Sequence, residues 1–216
     1  LNTIKIFKKC AFDKIKYIKK GFLVAYFPAF LKFDDKTILI VGGGNIALEK
    51  LEHLLNFSSN ITLISKNFSE KIDDLIDKHS LKIFQKEYEK GDAKGYDIVI
   101  VAVDDFGLQE DIYFETREYK ILCNCVDLQQ YCDFIFPSYI KRGDLTVAIS
   151  TSGSSPAFAK NFKTFLSNLI PEGVEDFLKE LKELRSTIPK GKERMRFFDN
   201  KAKDYRVNES HILSLK

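Results

Sequence analysis

The chain has 216 residues, 44% of them hydrophobic and 30% charged, enough to bury a core in one large domain or in one domain with an appendage. The net charge of +3 is unevenly spread: residues 1–24 carry seven lysines against one aspartate, or +6, so the remainder carries −3 and a general nucleic-acid footprint is excluded. No apolar run reaches the length of a membrane span, and four cysteines, with Cys123, Cys125 and Cys132 clustered in a strand-like stretch, do not form a secreted disulfide framework.

A reducing cytoplasm is the compartment this cysteine usage implies, with the three clustered thiols read as buried structural groups in preference to a metal site. Residues 1–25 read as a basic amphipathic extension, Ile4, Phe7, Ile15 and Ile18 among lysines, of the kind that touches membranes or partners, and as dispensable for activity. They lack the long apolar core and small-residue cleavage site of a secretory signal. From Tyr26 the chain leads through the Asp34-Asp35 turn into Ile38-Leu39-Ile40-Val41, a strand that runs into Gly42-Gly43-Gly44 and then a helical pattern from Asn45. A phosphate needs a turn whose backbone approaches closely and whose N–H groups point at it. Gly42 and Gly44 fit the first two glycines of a G-x-G-x-x-G/A dinucleotide fingerprint, and Ala47 takes the third, close-packing position. Ile46, Leu51, Leu54 and Leu55 recur at helical spacing, which lays the helix on a sheet with its N-terminus aimed at a pyrophosphate.

Ile61-Thr62-Leu63-Ile64 reads as the second strand, with Ser65-Lys66-Asn67 at its carboxyl end. Nicotinamide-binding folds usually place an acidic residue there for the adenosine ribose. None is present; Ser65, Asn67 or backbone groups serve the ribose, or Lys66 accepts a 2′-phosphate, and NAD and NADP both stay open. A short helix follows around Ile72, Leu75 and Ile76, then an edge strand Leu81 to Phe84, then Ile98-Val99-Ile100-Val101-Ala102, apolar on both faces. Such strands separated by helices predict a parallel sheet covered on both sides. Val103, Asp104 and Asp105 end that strand at the edge where doubly wound sheets bind ligands, and a helix cap by Asp104 or Asp105 competes with ligand contact.

Ile121 to Val126 is the next strand, and it carries Asn124 and Asp127 to the same edge. Cys132-Asp133-Phe134-Ile135-Phe136-Pro137 then leads to a hairpin loop at Lys141-Arg142-Gly143-Asp144 and a strand Leu145 to Ile149, the start of a smaller β unit. Ser150, Thr151, Ser152, Gly153, Ser154, Ser155 and Pro156 precede a helix with Phe158, Phe162, Phe165, Leu166 and Leu169 on one face; the loop is either a generous helix cap or an anion site. A second amphipathic helix carries Val174, Phe177, Leu178, Leu181 and Leu184, and beyond Pro189 lies the basic and aromatic stretch Lys192 to Phe198. His53, His79 and His211 lack the spacing of a dedicated metal site.

In this order, GGGNIA, VDD, NCVD, CDFIFP, AISTSGSSPAFA and KERMRFF make the chain resemble the precorrin-2 dehydrogenase/sirohydrochlorin ferrochelatase family, the N-terminal module of siroheme synthases, from about Tyr26 to about Ala202. No methyltransferase pattern follows, so the resemblance is to the stand-alone form. It implies an α/β architecture: an NAD-binding, Rossmann-like, doubly wound parallel sheet over residues 26–135, a small β/α dimerisation region over 136–170 and a C-terminal helical domain over 171–216, assembled as a homodimer. It implies NAD-dependent oxidation of precorrin-2 to sirohydrochlorin and, in some members, insertion of ferrous iron as a substrate, with no resident metal. By position, Gly42, Gly43, Gly44, Asn45 and Ile46 would line the pyrophosphate, Lys66 and Asn67 the adenosine end, and Val103, Asp104 and Asn124 the cofactor further along. The resemblance makes the absence of an acidic residue after the second strand ordinary, which lowers the weight on NADP.

Asp127 matches the aspartate implicated in both activities of that family. The chemistry suits it: the oxidation removes a hydride and a proton from the macrocycle, and chelation removes pyrrole N–H protons, each a task for a carboxylate. Capping of the following turn is its bland alternative. The tetrapyrrole is a polycarboxylate, so donors are needed; Ser150 to Ser155 and the basic residues Lys141, Arg142, Lys160, Arg194 and Arg196 are the candidates. Two rivals stand beside this: a dehydrogenase alone with a separate chelatase, and a nucleotide-sensing Rossmann module without catalysis.

Overall fold

In the computed structural model the chain is described over residues 26–205; the basic extension, with the expectation that it is dispensable, and His211 lie outside the described residues. Pro28–Phe136 form one compact unit, and a second unit takes up the chain from Pro137.

The first unit is a five-stranded, wholly parallel sheet in the order β3-β2-β1-β4-β5. Its strands are β1 (Ile38–Val41), β2 (Ile61–Ile64), β3 (Lys82–Phe84), β4 (Ile98–Val101) and β5 (Leu122–Cys125). Helices α1 (Asn45–Leu55), α2 (Glu70–His79) and α3 (Phe106–Tyr119) connect them. Every residue of β1, β2 and β4 is buried, Thr62 of β2 included, and the unbroken aliphatic runs of β1 and β4 are those of strands covered on both faces. Alternation splits β1 between two cores: Ile38 and Ile40 pack with Leu51, Leu54 and Ile72 of α1 and α2, whereas Leu39 and Val41 pack with Ile112 of α3 and the Cys123 and Cys125 side chains. The strand order reverses direction between β1 and β4, which puts a topological switch point at their carboxyl ends.

Helix α3 is signalled in the sequence only by the cap residues ahead of it. It buries Gln109, Glu115 and Thr116 along with Ile112 and Tyr113, so no clean apolar stripe marks it. Each of these polar residues has a hydrogen-bond partner: Gln109 Nε2 donates to the Val103 carbonyl (2.7 Å), a Glu115 carboxylate oxygen accepts from the Gly91 N–H (2.9 Å), and Thr116 Oγ1 donates to the Tyr113 carbonyl (2.6 Å).

After β5 and a 3₁₀ turn at Gln129–Tyr131 the chain doubles back along the sheet edge. Asp133 fastens it there, accepting from the Cys123 N–H (2.8 Å) and from both terminal nitrogens of Arg117 (2.8 and 2.5 Å). Burial pushes the Cys132 thiol up to about 11, and the Cys125 thiol is raised further by its hydrogen bond with Cys123. These are protonated packing groups, and no cluster of metal-ligating side chains forms among the described residues.

The second unit opens with an antiparallel hairpin, β6 (Ser138–Arg142) and β7 (Leu145–Ile149), followed by α4 (Pro156–Leu169), α5 (Val174–Thr187) and α6 (Lys192–Asp204). Arg142 proves to be a strut: its guanidinium donates to the carbonyls of Ser167 (2.9 Å), Ile170 (2.5 Å) and Pro171 (3.3 Å), closing the C-terminal end of α4, where a cation also meets the helix dipole. It is therefore withdrawn as a substrate donor. Arg142→Ala is expected to destabilise this unit by about 2 kcal/mol in urea denaturation, with Arg142→Lys recovering only part, because an ammonium cannot fork across three carbonyls. Helices α5 and α6 are held together by Phe177 stacked on Tyr205 (3.9 Å) and by Arg185 over the Phe198 ring (4.8 Å).

Candidate dinucleotide site

At the carboxyl edge of the parallel sheet the three glycines have three different reasons to be glycine. Gly42 has φ +127°, and a Cβ there would stand 2.2 Å from the Ala102 carbonyl oxygen. Gly43 would push a Cβ to 2.0 Å from the Asn67 carbonyl oxygen and 2.7 Å from Ser65 Oγ. Those two are demanded by the protein's own backbone. Gly44, at φ −93°, lies in a region open to any residue, and a Cβ on it would meet nothing within 4 Å. The protein's own packing does not demand glycine there, which leaves room beside α1 for a group from outside the chain.

Gly44 is also the N-cap of α1, and it supplies no capping side chain, so the first-turn N–H groups of Asn45, Ile46 and Ala47 are left to a ligand. Ala47 is fully buried, as close helix–sheet packing requires, and the half-buried Ile46 side chain packs against the core, so its backbone N–H is the group it offers an anion. Behind the turn, Ser65 Oγ donates to the Asn67 carbonyl (2.7 Å) and the Ser69 N–H donates to the Gly43 carbonyl (3.0 Å), which fixes the β2–α2 loop against the glycines.

A cleft of about 650 Å3 opens along this edge, with Gly42, Ser65 and Lys66 on one side and Val103, Asp105 and Leu108 on the other. The turn, the exposed helix N-terminus and the switch-point cleft fit a dinucleotide, with the pyrophosphate at α1 and the adenosine towards β2. Lys66 lines the cleft and is ion-paired with Glu87. Val103 lines it as well, whereas Asp104 is exposed and outside the lining; Asp105 is the helix cap of the two, accepting from the Leu108 N–H (3.0 Å). Asn124 is buried and its amide nitrogen is spent on the Phe134 carbonyl (2.8 Å), so its side chain braces the returning segment.

The sequence reading missed Lys86, Glu87 and Tyr88, which line the cleft from the loop after β3. A signal existed: in a parallel sheet every carboxyl end lies on one edge, so the residues after the edge strand belong there too. Tyr88 is kept protonated by burial and by the nearby Glu115 carboxylate, and its oxygen accepts from the Ala93 N–H (3.2 Å).

Asp127 lies two residues past β5, exposed and in the left-handed region at φ +67°, a conformation that aspartate tolerates better than most residues. The Val126 N–H pairs with the Val101 carbonyl (3.0 Å), so Asp127 leaves the sheet at the same edge as the glycine turn.

The Ser150–Ser155 loop belongs to the second unit and is built as a tight cap. Ser152 and Gly153 take positive φ, the Ser155 N–H donates to Thr151 Oγ1 (3.1 Å), and Ser155 Oγ caps α4 through the Phe158 N–H (3.2 Å). Arg194 Nη1 donates to the carbonyls of Arg185 and Ile188 (3.3 Å each), so part of its fork already closes α5; Arg196 is exposed.

Comparison with known proteins agrees with this geometry. A family model described as putative NAD(P)-binding matches residues 29–138, just over half the chain, and one described as the central region of sirohaem biosynthesis proteins matches residues 142–165. A siroheme synthase from Methylococcus capsulatus is 34% identical over 178 residues, 81% of this chain and 38% of that protein. One from Pseudoalteromonas translucida is 30% identical over 190 residues, 88% of this chain and 40% of that protein. The chain thus spans about two fifths of the length of these relatives. Among solved structures, SirC, a precorrin-2 dehydrogenase, superposes with a TM-score of 0.68 at 25% identity, covering 78% of this chain and 85% of that one. A glycine turn whose last position stands open, on a 3-2-1-4-5 parallel sheet that runs on into the sirohaem central region, places the chain in the putative NAD(P)-binding family that forms the N-terminal module of siroheme synthases.

Proposed function

We propose that this chain oxidises precorrin-2 to sirohydrochlorin with NAD, in the biosynthesis of siroheme. The observation that carries the proposal is the union in one chain of a dinucleotide turn and the sirohaem central region, together with the likeness to a precorrin-2 dehydrogenase over 85% of that protein's length. When bound, NAD supplies a hydride acceptor. The chain's own part is to hold the pyrophosphate on the first turn of α1, and to receive at Asp127 the proton that the macrocycle releases as it loses hydride. The Ser150–Ser155 loop and Arg196 hold substrate carboxylates.

The chain works as a homodimer in the cytoplasm. Support for the dimer is the apolar face of α4, where Phe158, Phe162 and Phe165 are 58%, 38% and 45% exposed and stack in series at 5.7 and 6.0 Å. Support for a reducing compartment is the cysteine usage, four in 216 residues with three of them packed in and beside β5.

The test is anaerobic turnover of precorrin-2 with NAD, followed by NADH and sirohydrochlorin absorbance. One NADH per precorrin-2 consumed is expected. Measurable NAD binding without any NADH would replace the enzyme with a nucleotide sensor. Ferrous iron added in a second stage, against an enzyme-free blank, assigns or removes the chelatase step.

A further inference from the structure

The adenosine end of the cleft carries two lysines, Lys66 and Lys86, yet neither is a free cation. Lys66 is paired with Glu87. Lys86 is paired with Glu89 (3.0 Å) and Asp92 (2.8 Å), and these two carboxylates, Asp92 foremost, hold its ammonium above the ordinary lysine range. A 2′-phosphate is best held by an uncommitted cation, and here each candidate is already ion-paired.

The position where nicotinamide-binding folds place their ribose-binding acid, the end of β2, holds Ser65. A carboxylate nevertheless reaches the cleft, from the next strand over. Two hydrogen bonds tie the end of β3 and the loop after it to the loop after β2: the Ser65 N–H to the Phe84 carbonyl (3.2 Å) and Gln85 Nε2 to the Lys66 carbonyl (3.3 Å). They hold Glu87 beside Lys66 at the lip of the cleft. One Glu87 oxygen accepts from Lys66, which leaves the other to accept from a ribose hydroxyl.

We propose that Glu87 is the specificity-determining residue for the cofactor: by occupying Lys66 and presenting a carboxylate at the adenosine end, it makes the site select NAD against NADP. The inference rests on the dinucleotide reading of the cleft and extends it to a residue outside the glycine motif. Lys66 and Glu87 are 63% and 69% exposed, so their pair adds little to folding and substitution there reads ligand preference and not stability. A like charge beside the 2′-phosphate disfavours that ligand, and solvent at these exposed side chains keeps the effect moderate.

The experiment is equilibrium calorimetric titration of the protein with NAD and, separately, NADP, with no substrate present. The wild type is expected to prefer NAD. In Glu87→Gln the ratio of NAD to NADP affinity should fall by about tenfold or more, equivalent to about 1.4 kcal/mol. Adding Lys66→Ala to that variant should take back the gain in NADP affinity, because Lys66 is the cation that Glu87 releases. A ratio that stays within about twofold of the wild type in Glu87→Gln overturns the inference while leaving NAD binding intact. A wild type that binds neither nucleotide overturns the dinucleotide reading and the inference with it.

Discussion

Replacing Gly44 by aspartate is expected to weaken NAD binding at least about a hundredfold, because a fixed carboxylate would face the pyrophosphate at close range. The same change should leave the fold intact or stabilise it by a few tenths of a kcal/mol. Gly44 has an ordinary φ, a Cβ there meets no protein atom within 4 Å, and aspartate is a favoured N-cap at the positive end of α1. Gly43→Ala should behave in the opposite way. Its Cβ would lie 2.0 Å from the Asn67 carbonyl oxygen, so the β2–α2 loop must shift, and a loss of more than about 2 kcal/mol is expected in urea denaturation. Calorimetric NAD titration beside denaturation curves separates the two. Wild-type NAD affinity in Gly44→Asp would remove the nucleotide from this turn.

The second large effect is expected at Asp127. Asp127→Asn keeps a short polar side chain that tolerates φ +67°, so the turn should survive and NAD affinity and melting temperature should hold. Precorrin-2 oxidation should fall by about 10²- to 10⁴-fold, the span that loss of a general base commonly costs. Alanine is the poorer probe, since it adds about 1 kcal/mol of left-handed strain to the loss of the carboxylate. Full turnover in Asp127→Asn would reduce Asp127 to a turn residue.

The sequence was most legible where the physics is local. Four aliphatic residues, three glycines and the helical spacing of Ile46, Leu51, Leu54 and Leu55 specify strand, turn and helix within one short segment; the structure has each in place, with the fully buried helix face running through Ala47, Leu51 and Leu54. The unbroken apolar run of β4 announced a strand buried on both faces, because a sheet open to water on one side would alternate. Pro156 behind Ser155 likewise announced the start of α4. Helix α3 was less legible, since its buried face includes Gln109, Glu115 and Thr116, whose satisfaction depends on partners that periodicity cannot reveal.

Site residues divided along the same line. The sequence by itself determined that a dinucleotide turn stands between β1 and α1, since close backbone approach and a helix N-terminus follow from residue types a few positions apart. Only the tertiary structure decided that Gly43 answers to Asn67 while Gly44 stands open, that Asn124 braces Phe134, and that Arg142 closes a helix ending 27 residues later at Leu169. It alone brought Glu87 to Lys66, across the gap between β2 and β3. Those assignments turn on which strand lies beside which and in what register, a property of the packed sheet that no single stretch of the chain contains.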